Sequence, residues 1–151
     1  MDSTVKAIMA KGLMILLIAQ GFAVLFSIAG CATGMTRDEL FRQMQDGTAP
    51  LIVDVRSQGE YDQDHVPGAV HIPFYAVGTA LQERGFPKKD PVLLYCEHGP
   101  RAGMSAFMLR LSGYEAVYSL EGHMKGWRKN DFPREMSALR GSAMPPSDQR
   151  R

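Results

Sequence analysis

The chain's strongest candidate for covalent chemistry is the cysteine of Cys96-Glu97-His98-Gly99-Pro100-Arg101-Ala102, which follows the apolar run Val92-Leu93-Leu94-Tyr95 with nothing polar between. A short continuous apolar run of this kind reads as a buried strand. In an open α/β sheet, ligands bind beyond the carboxyl ends of strands, which is where Cys96 falls. A helix starting just after it leaves backbone N–H groups unpaired and carries partial positive charge at its start, so an anion is stabilised there, a thiolate included. Gly99 lets the backbone wind inward without a blocking side chain, and Pro100 suits the first helical position, where its missing donor is not needed. Arg101 has two open roles: a planar cation for an anionic substrate, or a guanidinium bonded back to an acid that holds the loop.

The elements that must position this loop alternate along the chain. Thr36 with Asp38 and Glu39 behind it, then Leu40, Phe41 and Met44 at helical spacing, predicts a helix over about 37–46 that Gly47 ends. Leu51-Ile52-Val53-Asp54-Val55 reads as a buried strand, and Ala69-Val70-His71-Ile72 as a second one after the Val66-Pro67-Gly68 turn. Phe74 to Arg84 is expected to be helical, Val92 to Tyr95 is the third strand, and Ala102 to Ser112 is the helix behind the loop, with Gly113 and Tyr114 as its stop. Ala116 to Leu120 and Met124 to Lys129 give a last strand and helix. Short apolar strands alternating with helices argue for an α/β domain: a mostly parallel central sheet with helices on both faces.

Other polar residues invite weaker readings. Asp54 and Arg56 end their strand on the side of Cys96, and an ordinary structural pair of Arg56 with Glu60 is expected. The four histidines include no pair at helical i, i+4 spacing, so no metal site and no cofactor is expected. His98 lies two residues after the cysteine and either tunes it or is simply exposed. Met104 and Met108 are expected to pack beneath the helix after the loop, and Trp127 with Met124 to be core.

The first thirty residues differ in kind. Lys6 and Lys11 precede Leu13 to Ile28, an apolar stretch without a charge, and the exit is Ile28-Ala29-Gly30-Cys31. That is the layout of a secretory signal, residues 1–30, and its exit resembles the lipobox of bacterial lipoproteins. The resemblance implies cleavage before Cys31, lipid on its sulfur, a lipidated linker over 31–35, and a chain anchored to a membrane and facing the periplasm, with Ala32 hinting at the outer membrane. An uncleaved single-span inner-membrane anchor is the alternative. Without Lys6, Lys11 and Asp2 the remainder is nearly neutral, and no polybasic run points to nucleic acid. With only Cys31 and Cys96, a disulfide framework is excluded. The tail, 136–151, has little apolar periodicity and is expected to be disordered.

Across about a hundred residues, 36–135, the motifs fall in the order of one family. Asp54-Val55-Arg56 with Glu60-Tyr61, His65-Val66-Pro67-Gly68-Ala69, Ile72-Pro73, the Cys96–Arg101 loop, and Leu120-Glu121-Gly122 with Gly126-Trp127 together resemble the single-domain rhodaneses, a sulfurtransferase family. The resemblance implies a rhodanese-like central parallel sheet and Cys96 as the persulfide-forming nucleophile. Glu97, His98, Gly99, Pro100, Arg101 and Ala102 would line the substrate loop. The implied partners are a small sulfane-sulfur donor and a thiol acceptor, with a periplasmic protein as a further partner. Cysteine-dependent phosphatases resemble one another in placing five residues between cysteine and arginine. Here there are four, making a ring less able to surround a tetrahedral phosphate. Two departures bear on the carry-over: Glu97 sets a negative charge beside the nucleophile where thiosulfate-preferring members tend to be basic, and His123 stands where a second glycine is frequent. A noncatalytic sulfur-binding or partner-docking module on the same fold is the alternative function.

Overall fold

The computed structural model describes residues 33–137. The expected signal at 1–30, Cys31 and the tail beyond Ser137 lie outside the described residues. Five strands, β1 (Thr33–Met35), β2 (Leu51–Asp54), β3 (Val70–His71), β4 (Val92–Tyr95) and β5 (Val117–Leu120), form one sheet in the order β1-β5-β4-β2-β3. All four pairings are parallel. The helices are α1 (Arg37–Gln45), α2 (Gln58–Gln63), α3 (Val77–Glu83), α4 (Pro100–Leu111) and α5 (His123–Lys129). No helix among the described residues is long and apolar enough to cross a membrane.

Central strands buried on both faces explain the continuous apolar runs. Along β4, Leu94 and then Cys96 point into a core shared with Val53, Leu81, Ala102, Ala106 and Leu109, the layer beneath α3 and α4. Leu93 and Tyr95 point to the other face, where Leu40, Leu120, Met124 and Trp127 form the layer beneath α1 and α5. The period-2 alternation of a strand thus sends one half of β4 to each layer and leaves Cys96 at the end of the α4 side.

Local signals set the helix ends. The Thr36 hydroxyl accepts the Glu39 N–H at 3.2 Å and starts α1. After α4, Gly113 takes φ +87° and Tyr114 turns back into the core, 4% exposed. Two elements differ from the sequence reading. Thr33–Met35, expected to be linker, forms the edge strand β1, because parallel pairing to Tyr118, Ser119 and Leu120 satisfies its backbone. Between Arg56 and Val66, where the sequence pattern predicts no helix, α2 opens with a capping box, Ser57 and Glu60 bonding each other's backbone N–H.

The buried face of α4 also differs from expectation. It is Ala102, Ser105, Ala106 and Leu109, whereas Met104 and Met108 are 56% and 52% exposed. The core beneath α4 is close-fitting and accepts small side chains near its start, which rotates the longer ones outward.

Candidate active site

The loop after β4 closes on its own cysteine. The Gly99 N–H donates to Cys96 Sγ at 3.0 Å, so a main-chain donor at the start of α4 already points at the sulfur. Two carbonyls of the loop are held from the other side: Cys96 O accepts the Met124 N–H at 3.0 Å, and Glu97 O accepts the Lys125 N–H at 3.3 Å. The spare donors of the first turn of α5 thereby fix the loop that the first turn of α4 completes. Cys96 itself is 1% exposed, at the bottom of the loop.

Gly99 is required here, since its φ of +126° is closed to ordinary L side chains, and an added Cβ would sit 3.0 Å from His123 Nε2. Gly99→Ala is therefore expected to lower stability by about 1–3 kcal/mol and to reduce sulfur loading with it, as denaturant melts and adduct yield would show.

His123 occupies a left-handed position, φ +51°, and its Nδ1 lies 3.5 Å from the Cys96 N–H. Burial, then the charge of His98, lowers its pKa, so the neutral ring that can accept this N–H is the form the site favours. That contact assigns the ring proton to Nε2.

Arg101 pairs with an acid across the loop, and its guanidinium also interacts with Cys96. Its Nη1 and Nη2 reach the two carboxylate oxygens of Glu60 at 2.7 and 2.8 Å, a bidentate pair between α4 and α2. The bond to Arg101 is the chief cause of a Glu60 pKa far below the usual range, with Ser57 adding to it against the opposing effect of burial. The Arg101 pKa is raised in return. A carboxyl depressed in the fold stabilises fully above the free-glutamate range, progressively less as pH falls below it, and not at all below its native value. The Tm deficit of Glu60→Gln is thus expected to stay constant from pH 8 to about 5 and to shrink toward pH 3.

The expected Arg56–Glu60 pair is corrected. The capping box holds Glu60 toward Ser57, while Arg56 is buried and clasped by Asp54 two residues back, Nε and Nη2 lying 2.8–3.1 Å from its carboxylate. Strand periodicity puts both side chains on one side. Arg56 also bonds the Asp64 carbonyl and reaches Glu97 at 3.5 Å.

Glu97 does not aim its charge at the sulfur. Arg128 donates to its carboxylate at 2.7–3.1 Å, and with Arg56 it balances the negative charge expected to repel dianions. Of the remaining loop residues, His98 and Pro100 are exposed and Ala102 is fully buried. His65 Nδ1 contacts Tyr61 O and His71 Nε2 contacts Arg56 O, both at 2.8 Å. Among the described residues no three His, Cys, Asp or Glu side chains converge as a metal site requires.

Residues 36–130 match the rhodanese-like domain family. The chain belongs to that family. Among solved structures, a protein from Anabaena sp. superposes with a TM-score of 0.62 at 22% identity, covering 68% of this chain and 91% of that one. A rhodanese-related protein from Thermoplasma volcanium gives 0.58 at 17%, covering 69% and 98%. A thiosulfate sulfurtransferase from Pseudomonas aeruginosa gives 0.64 at 21%, covering 69% of this chain but only 20% of that longer protein. At these identities the likeness is one of fold. The rhodanese-like family places a sulfurtransferase-type fold beneath the Cys96 loop. Glu60 and Arg128 are the loop's partners that sequence reasoning did not assign; the capping-box spacing Ser57–Glu60 was the available signal for the first, and nothing local signals the second.

Proposed function

We propose that the protein is a rhodanese-type sulfurtransferase in which Cys96 carries the sulfur. The Gly99 N–H directed at Sγ, at the start of α4 and the end of a central strand, carries this reading. The Cys96 thiolate attacks the outer sulfur of thiosulfate, a polysulfide or an organic persulfide. A new S–S bond forms on Cys96, and the donor's S–S bond breaks with its electron pair leaving on sulfite or a thiolate. An acceptor, cyanide or a thiol as its thiolate, then attacks the terminal sulfur and returns the Cys96 thiolate. The two half-reactions share one covalent intermediate, so ping-pong kinetics are expected. Backbone donors facing the loop hold the charge that moves between the sulfurs.

The 1% exposure of Cys96 favours a second reading, a noncatalytic module that uses the fold to dock a partner. Intact mass after treatment with each donor separates the two: a gain of about 32 Da, one sulfur, supports transfer. No adduct with any sulfane donor rejects it.

The same proposal includes a tether: residues 1–30 act as a lipoprotein signal, and lipid on Cys31 holds the domain at a membrane, facing the periplasm. The basic start, the charge-free stretch Leu13 to Ile28 and the Ile28–Cys31 exit support this. Cys31→Ser should block processing and release or mislocalise the domain; unchanged mature mass with unchanged membrane association would reject lipidation.

A further inference from the structure

We infer that the outer face of α4, together with Phe74 and Tyr75, rests on a lipid bilayer. Met104, Phe107, Met108 and Leu111 recur at i, i+3, i+4 and i+7 and are 56%, 58%, 52% and 68% exposed. Phe74 and Tyr75, 40% and 79% exposed, join them, since the Ser105 hydroxyl bonds Phe74 O at 3.0 Å and draws that turn against α4. The result is an apolar surface on the order of 600 Å², at the upper end of what a monomer leaves uncovered.

The position of the tether and the chemistry of the face choose the bilayer over other occupants. The proposed lipid on Cys31 lies two residues before Thr33, a reach of at most about 7 Å even when fully extended, so this inference rests on the tether proposed above. β1 enters at the end of the sheet where α4 finishes: Thr33 pairs with Tyr118, just after the turn through Gly113 that links α4 to β5. A helix face with aromatic, methionine and leucine side chains and no charge from position 102 to 109 matches one lying in the headgroup boundary. At its lower end the Lys88 ammonium sits beside Gly113, placed to reach lipid phosphate while its stem covers apolar surface. A second copy of the chain fits less well, because the patch is smaller than the roughly 800 Å² each partner contributes to a standard stable interface.

The geometry has a use. α4 begins at the sulfur loop, so a bilayer along its outer face puts the entrance to Cys96 at the lipid–water boundary.

Hydroxyl-radical footprinting of the full chain in phosphatidylethanolamine–phosphatidylglycerol vesicles tests this. Met136, 57% exposed and in a cleft with Arg128 of α5 on the opposite side of the sheet, is the internal standard. Met104, Phe107 and Met108 are expected to oxidise at least about fivefold more slowly than Met136 in chain that floats with the vesicles. Phe107→Lys with Leu111→Lys should bring Met104 back to the Met136 rate while flotation persists. Oxidation of the face at the Met136 rate in floating chain overturns the inference and leaves the tether standing. Chain that does not float overturns both. Protection that rises with protein density at fixed lipid assigns the face to a second copy and also overturns it.

Discussion

Cys96→Ser should abolish sulfur transfer, by at least about 10³-fold and down to the uncatalysed background, while leaving the melting curve nearly unchanged. The two halves of this expectation have separate physical origins. Serine differs from cysteine only in its heteroatom, and its hydroxyl can accept the same Gly99 N–H that Sγ accepts at 3.0 Å, so the buried donor keeps a partner. The carbonyls of residues 96 and 97 remain held by the start of α5, because those bonds involve main chain alone. A serine hydroxyl, however, is neither ionised at neutral pH nor able to form the stable S–S bond that the intermediate needs. The measurement is paired: steady-state transfer with each donor, and thermal unfolding on the same preparation. Retained transfer in the serine variant would remove Cys96 from the chemistry. A lost fold would be answered by Cys96→Ala, whose methyl leaves Gly99 without its sulfur but fits the same space.

What the sequence disclosed about this site followed the range of each signal. Cys96 was legible because a strand end, a glycine and a proline are local features with fixed geometric meaning, and the structure has Gly99 at positive φ and Pro100 opening α4. The sheet was legible for the same reason: the continuous apolar runs Leu51–Val53 and Val92–Tyr95 require cover on both faces. Pairing of charges was not. Arg56, Arg101, Glu60 and Glu97 could combine in several ways, and the choice between them is made by elements distant in the chain, the partners being 41 positions apart in Arg101–Glu60 and 31 apart in Arg128–Glu97. The outward turn of Met104 and Met108 was equally hidden, since apolar residues at 107, 108 and 111 mimic a buried stripe and only the space available beneath Ala102 and Ala106 reveals the other one. β1 escaped notice because Thr33-Gly34-Met35 has no strand signal of its own. Its place is set by the open edge of β5.

Arg56→Met should cost about 3–5 kcal/mol of stability, a large share of what a domain of this size has. Asp54 and Arg56 are 0% and 2% exposed, and the pair is completed by the Asp54 bond to the Arg56 backbone N–H at 2.9 Å. Removing the guanidinium, which lies 5.9 Å from the Tyr95 ring, leaves a buried carboxylate with neutral donors, the residue 56 backbone N–H and the Tyr95 hydroxyl, but no counter-charge from Arg56. Burial and then Asp54 itself hold the Tyr95 pKa well above the usual value, so its hydroxyl stays neutral and supplies no counter-charge. The double variant Asp54→Leu, Arg56→Met removes both charges and should recover a substantial part of the loss, because the penalty lies in the unpaired ion rather than in the missing bond. Urea melts of wild type, both single variants and the double variant measure the coupling. Transfer activity should fall less than stability at a temperature where the single variant is still folded, because Arg56 reaches the loop only through Glu97, and Glu97 keeps Arg128. Additive losses in the double variant would show that Asp54 and Arg56 do not act as a buried pair.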